Sequence, residues 1–196
     1  NTRPRNSRDP TVPTAQPTKA HSRLIGVAQA AWQPLGVDVE TFHPSRRERD
    51  LRLELGLPRD TRLLAFAGRF ATEKNIPLLT DTFERLGSPY HLLLIGGGES
   101  RRDGNVTRIP YCRDNRELAS LLASADAFVH AGEHETFGLV VLEAMACGRP
   151  VVAMRAGALP EIVEGNAGVL ADTHVNGAAR AGSFAEAIST LFERDL

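Results

Sequence analysis

The stretch LLAFAGRFATEKNIP (Leu63–Pro77), followed after one helix's length by HLLLIGGG (His91–Gly98), decides the fold class. Leu63-Leu64-Ala65-Phe66-Ala67 is a short unbroken apolar run that ends at Gly68. Such a run, bounded by a turn signal, reads as a strand buried on both faces. Ile76, Leu79, Phe83 and Leu86 then recur at helical spacing, with Pro77 in the first turn, where its missing N–H removes no hydrogen bond. His91–Ile95 is a second apolar run, closed by Gly96-Gly97-Gly98. A buried strand, an amphipathic helix and a second buried strand form the β-α-β unit of a parallel sheet.

The same alternation extends outward. Downstream, the pattern predicts a strand over Val106–Pro110 and a helix entered at Asp114 with Glu117, whose stripe is Leu118, Leu121, Leu122 and Ala125. A strand over Ala127–Val129 follows, then a helix over 137–147 stopped by Gly148 and a strand over Pro150–Met154. Pro160–Glu164 reads as a short helix, Gly168–Ala171 as a strand and Phe184–Phe192 as a final helix. Upstream, Ser45 and Glu48 have capping-box spacing ahead of Leu51 and Leu55, and Gly56 with Pro58 ends that helix. Apolar strands alternating with helices imply an α/β, doubly wound, Rossmann-like parallel sheet, which binds ligands at the carboxyl ends of its strands.

Composition narrows the function. The chain has 196 residues, of which 42% are hydrophobic, enough for one good core. No apolar run approaches membrane-spanning length. Lys plus Arg (23) nearly balance Asp plus Glu (24), so the net charge of −1 carries no nucleic-acid footprint. Cys112 and Cys147 have neither C-x-x-C spacing nor a His pair at zinc spacing; two lone thiols suit a reducing cytoplasm. Residues 1–20 hold four prolines and a charge of +3, which reads as a linker-like arm. Residues 21–35, with Leu24, Ile25, Val27 and Trp32, are ambiguous. The expected division is a lead-in over 1–33 and one domain over 34–196. A start at Asn rather than Met suggests a chain cut from something longer.

Chemistry is expected where the strands end. Gly68-Arg69, with Lys74 five residues on, places two cations in a glycine-led strand-to-helix loop. A glycine that permits close backbone approach, an Arg fork and a Lys point charge suit a diphosphate; the plainer alternative is a solvated loop whose cations pair with Glu73. There is no Walker A pattern and no G-x-G-x-x-G. The 137–147 helix is apolar almost all round and should be buried, Glu143 excepted, so that carboxylate needs either a neighbouring cation or ligand hydroxyls. Glu135 stands eight positions earlier, just before the helix, where its charge suits the positive helix end. Eight helical positions span about 12 Å, wider than the roughly 5–9.5 Å between the carboxylates of a glycoside hydrolase. The pair fits an elongated ligand touched at two places better than one scissile bond.

Four segments carry a family resemblance in the right order over residues 34–194. ETFGLVVLEAMACGRPVVA (Glu135–Ala153) resembles the E-x7-E signature of the family 4 retaining glycosyltransferases, and GRFATEKN (Gly68–Asn75) their G-R-x-x-x-E-K-N loop. Gly36-Val37-Asp38 with Phe42 and Pro44 is similar to the entry to their second domain, and GALPEIV (Gly157–Val163) to their G-G-x-P-E-I-V turn. The resemblance implies the C-terminal half of a GT-B fold, which binds a nucleoside diphosphate sugar as donor substrate and needs neither cofactor nor metal. It implies that Arg69 and Lys74 neutralise the diphosphate, Glu135 binds the transferred sugar and Glu143 the ribose. Gly68 and the backbone N–H groups of Phe137, Gly138 and Leu139 would help to hold the donor, and Ile109 and Pro110 would lie near the base. A missing N-terminal acceptor-binding domain is also implied, with any membrane association through that half, a cytoplasmic location and no transfer by this chain alone. A non-catalytic nucleotide-sugar-binding module and a sugar-nucleotide epimerase of the same fold stay open. The departures are Ala158 in place of the second glycine, and His130-Ala131 where the family usually has Pro-Ser. His130 and His134 are read as locally satisfied histidines, with a donor contact as the alternative for His130.

Overall fold

The computed structural model describes residues 36–163, 165–173 and 178–194; the readings made on residues 1–35, including the lead-in and Trp32, lie outside them. Seven strands form one sheet: β1 (Arg62–Ala67), β2 (Tyr90–Ile95), β3 (Arg101–Asp103), β4 (Val106–Ile109), β5 (Ala127–His130), β6 (Val151–Met154) and β7 (Gly168–Ala171). Their order is β3-β4-β2-β1-β5-β6-β7, and every pairing is parallel except β3 with β4. The helices are α1 (Leu51–Glu54), α2 (Ile76–Leu86), α3 (Asn115–Ser124), α4 (Leu139–Ala146), α5 (Leu159–Ile162) and α6 (Ala178–Glu193).

Strand order turns around at β1: β2 and β4 run to one side of it, β5, β6 and β7 to the other. This is the switch point at which loops leaving neighbouring strands diverge and open a crevice. Side chains alternate across the sheet. Leu63, Ala65, Leu93, Phe128 and Val151 pack with α3 and α4, while Leu64, Phe66, Leu92, Leu94 and Val152 pack with α2 and α6. Both faces are covered, which is why Leu63–Ala67, Leu92–Ile95, Ala127–Val129 and Val151–Met154 are unbroken apolar runs rather than alternating ones.

Gly96 shows how tightly the first two strand ends are joined. A Cβ at this position would stand 1.7 Å from the Gly68 carbonyl oxygen. Only glycine lets the backbone leaving β2 pass that close to the backbone leaving β1.

Some local expectations change. Ser45 and Glu48 do not cap a helix. Pro44–Arg46 is a 3-10 turn capped by the His43 side chain, and α1 starts after Asp50, whose carboxylate accepts from the Leu53 N–H. Asp50 lies nearer the apolar pair and offers a shorter route to an orphan helix N–H. The final helix begins at Ala178, well before Phe184. Strand β3 carries no apolar residue to announce it, and its three side chains are exposed. Two arginines on an unpaired edge also discourage pairing with another chain.

Phe128 is fully buried and its ring lies 6.5 Å from that of Phe66, at an interplanar angle of 14°. Phe128→Ala should therefore destabilise the domain by about 3–5 kcal/mol, read as a lowered urea midpoint.

Candidate functional site

The loops that leave β1 and β5 meet at the switch point. After β1 the chain passes through Gly68 and exposed Arg69 into a 3-10 turn, Thr72–Lys74, then through Asn75 in the left-handed conformation into α2. This turn aims the Lys74 ammonium at the loop after β5, where its Nζ lies 2.7 Å from Glu135 Oε2. Glu135 Oε1 accepts from the Gly138 N–H at 3.1 Å. Gly138 is the N-cap of α4 and sits in the left-handed region, at φ 61°.

The GALPEIV segment holds Glu135 by its main chain. Ala158 N donates to Glu135 O at 2.9 Å. A Cβ on Gly157, whose φ is +57°, would come within 2.4 Å of that same oxygen. The first glycine of this turn is thus obligatory for two reasons. The second position, which is helical in the structure, accommodates alanine.

His130 ends β5 with its side chain fully buried. Its Nε2 stands 3.2 Å from Glu135 Oε2 but off the axis of a hydrogen bond, and neither ring nitrogen has a well-formed partner among the described residues. The expectation of a satisfied histidine is therefore corrected. The ring is packed, 6.2 Å between centroids from Phe66, without being hydrogen-bonded. His134 is exposed.

The two carboxylates are held in opposite ways. The His130 contact, the Lys74 ammonium and the Gly138 N–H outweigh burial and hold the Glu135 carboxyl far below the usual carboxylate range. Glu143, on α4, makes no ion pair or side-chain hydrogen bond among the described residues, and burial pushes its carboxyl up. The helix around it is less covered than its composition suggests. Val141 and Ala144 are buried, whereas Leu139 is 41% exposed and Phe137, just before the helix, 56% exposed. An apolar face left open at the mouth of the crevice replaces the expected all-round burial. Glu135 lies in the loop, folded back on Gly138, so the eight-position spacing is not helical and the 12 Å argument against paired hydrolytic carboxylates does not hold.

Across the switch point, Ile109 ends β4 half-buried, and Pro110 and Tyr111 are exposed. The exposed ring of Phe70 covers Gly97, where a Cβ would meet it at 3.4 Å. Phe70 and Tyr111 went unremarked in the sequence, because a single aromatic after a strand has no pattern to mark it.

Residues 61–194 match the family model described as glycosyl transferases group 1. The chain belongs to this family. It is 36% identical to the GDP-mannose-dependent alpha-(1-6)-phosphatidylinositol dimannoside mannosyltransferase of Mycobacterium tuberculosis, covering 87% of this chain and 45% of that protein. It is 38% identical to the sulfoquinovosyl transferase SQD2 of Arabidopsis thaliana, over 69% of this chain and 28% of that one. Among solved structures, sucrose-phosphate synthase from Thermosynechococcus elongatus superposes with a TM-score of 0.70 at 28% identity, over 89% of this chain and 46% of that one. The C-terminal domain of a glycosyl transferase group 1 family protein (LpcC) from Francisella tularensis shares the fold, with a TM-score of 0.65 at 24% identity over 81% of this chain and 88% of that one. The group 1 chain described here thus spans less than half the length of the curated relatives quoted, and its sheet is the Rossmann-like unit of a GT-B glycosyltransferase. Family membership, rather than carboxylate spacing, sets the hydrolase reading aside.

The opposite treatment of the carboxylates has a signature in stability. Glu135, with its pKa lowered by folding, contributes stability that is present above its ordinary value of 4.5 and lost as pH falls below it. Glu135→Gln should cost about 1–3 kcal/mol at neutral pH and flatten the acid limb of a melting-temperature profile. Glu143, with its pKa raised, favours the folded state at low pH and loses that contribution as pH rises through its folded value. Glu143→Gln should accordingly raise the melting temperature at neutral pH.

Proposed function

We propose that residues 34–196 are the donor-binding half of a retaining, metal-independent glycosyltransferase. The whole enzyme would move a sugar from a nucleoside diphosphate sugar to an acceptor hydroxyl held by an N-terminal domain. The observation that carries this reading is the meeting of Lys74, from the loop after β1, with Glu135, from the loop after β5, at the switch point of the sheet. Residues from two separate motifs, 61 positions apart in the chain, converge on the place where a doubly wound sheet binds its ligand. Relatives named for GDP-mannose support a nucleoside diphosphate sugar as the donor class.

In this reading the exposed Arg69 and the half-buried Lys74 face the diphosphate. Negative charge builds on that group as the bond to the sugar breaks, and fixed cations aimed at it lower the barrier without having to reorganise. Glu135 receives sugar hydroxyls, its orientation set in advance by the Gly138 N–H and the GALPEIV turn. The half-buried Glu143, unpaired among the described residues, is a costly group to keep for structure alone, and ribose hydroxyls would supply the donors it lacks. Ile109 and Pro110 border the base, with Gly68 and the Phe137–Leu139 backbone around the phosphates. Retention follows from the E-x7-E resemblance. Two thiols not joined in a disulfide, Cys112 and Cys147, support a reducing cytoplasmic compartment, and no helix among the described residues is long and apolar enough to cross a membrane.

Calorimetry with UDP, GDP and the parent nucleosides tests the assignment. Arg69→Ala or Lys74→Ala should weaken nucleoside diphosphate binding by about 1.5–3 kcal/mol, roughly tenfold to 150-fold, with little change for the nucleoside. Equal losses for both ligand classes would remove the cations from the diphosphate. The 196-residue chain should bind a nucleotide-sugar yet transfer nothing, because a single open domain cannot hold an acceptor in a site that excludes water. Turnover by this chain would show that no second domain is needed.

A further inference from the structure

We propose that His130 is a positioning residue for Glu135 that takes up a proton when the donor arrives. As the diphosphate draws Lys74 away, His130 becomes an imidazolium and replaces it as the counter-charge of Glu135. The proposal deepens the donor-binding reading and rests on the assignment of Lys74 to the diphosphate.

The geometry sets the problem. Glu135 Oε2 is shared by Lys74 Nζ at 2.7 Å and His130 Nε2 at 3.2 Å, while Oε1 is bound by the Gly138 N–H. The Glu135 side chain is 14% exposed. Lys74 carries one positive charge, for which a diphosphate and this carboxylate would compete. Once its ammonium turns to the phosphates, Glu135 is left poorly solvated with neutral donors only, and an uncompensated charge there is expensive. His130 is the other group in contact with that oxygen able to carry a positive charge. Among the described residues its Nδ1 has no hydrogen-bond partner, so a lone pair is free to accept the proton while Nε2 keeps facing the carboxylate.

The surroundings leave the response to these groups. On β1, Phe66 meets the ring, and on β6 the register partner of His130 is Ala153; both are apolar. From the loop after β1 come Lys74 and the carbonyl of Glu73, whose own side chain is exposed. In the loop after β5, Glu133 is paired with Arg180 of α6, His134 is exposed, and Glu135 is the carboxylate in contact. Removal of a nearby cation and arrival of a diphosphate both favour the charged imidazole. The proton comes from solvent and returns to it when the nucleotide leaves and Lys74 swings back. Because binding takes up a proton, affinity should fall as pH rises, by at most about tenfold per pH unit for one proton.

Two measurements on the full chain test this. GDP-mannose and UDP-glucose are suitable probes, because their phosphates are diesters that do not titrate near neutral pH. Titration calorimetry in buffers of different ionisation enthalpy should show net proton uptake by the wild type, and its loss in His130→Gln and His130→Asn. Binding without proton uptake, or uptake that persists in both variants, would overturn the proposal. In the ligand-free protein, NMR titration of the His130 ring should show its pKa raised in Lys74→Met relative to wild type. An unchanged value would overturn the coupling even if the histidine variants failed to fold. Failure of both nucleotide-sugars to bind would instead defeat the donor-binding reading, and the Lys74→Met titration would still decide whether His130 answers to Lys74.

Discussion

Parallel pairing of β1 with β2 on one side and β5 on the other is the constraint on which the site depends. Parallel neighbours cannot be joined by a tight turn, so β1, β4 and β5 are each followed by a helix that crosses back over the sheet, whereas β2 reaches β4 through the edge strand β3. At β1 the crossovers part, one set covering each face, and the loops leaving β1 and β5 face each other without a helix between them. The two sets of apolar side chains, one per face, fix this arrangement. A strand shifted by one residue would exchange its two apolar sets between layers of different shape. The crevice is therefore a consequence of core packing.

Within that crevice the structure is held by polar contacts between segments far apart in the chain. The Gly157-Ala158 turn grips the main chain at Glu135, Lys74 grips its carboxylate, and Arg180 reaches back from α6 to Glu133. Each contact is modest by itself. Together they tie the β5 loop to the β1 loop, the Gly157-Ala158 turn and α6. Glu143 is the contrasting case, a half-buried carboxylate without a partner among the described residues, on a helix whose apolar neighbours are left open. Such a group opposes stability where it stands.

Legibility in the sequence followed the size of the signal. Strands β1, β2, β5, β6 and β7 and helices α2, α3 and α4 announce themselves by runs and periodicity, because burial on both faces leaves no polar interruption. Strand β3 does not, since an edge strand of Arg-Arg-Asp owes its pairing to β4 and to the turn at Gly104. The capping of α1 was misplaced from Asp50 to Ser45 because several side chains near a helix start have suitable spacing, and only the folded backbone selects among them.

The sequence by itself determined the α/β class, the alternation of the sheet with its helices and the motifs that place this chain among the group 1 glycosyltransferases. Those properties are local, written in periods of two and 3.6 residues and in short motifs. What only the tertiary structure decided is which of those residues touch. Lys74 meets Glu135, Gly157 packs against the Glu135 carbonyl, and His130 is buried against the Glu135 carboxylate without a well-formed hydrogen bond among the described residues. The physical reason is that contacts and desolvation belong to pairs and surroundings. One glutamate carries the same chemistry at 135 and at 143, and the fold alone makes the first a firmly held anion and the second a carboxylate that resists its charge.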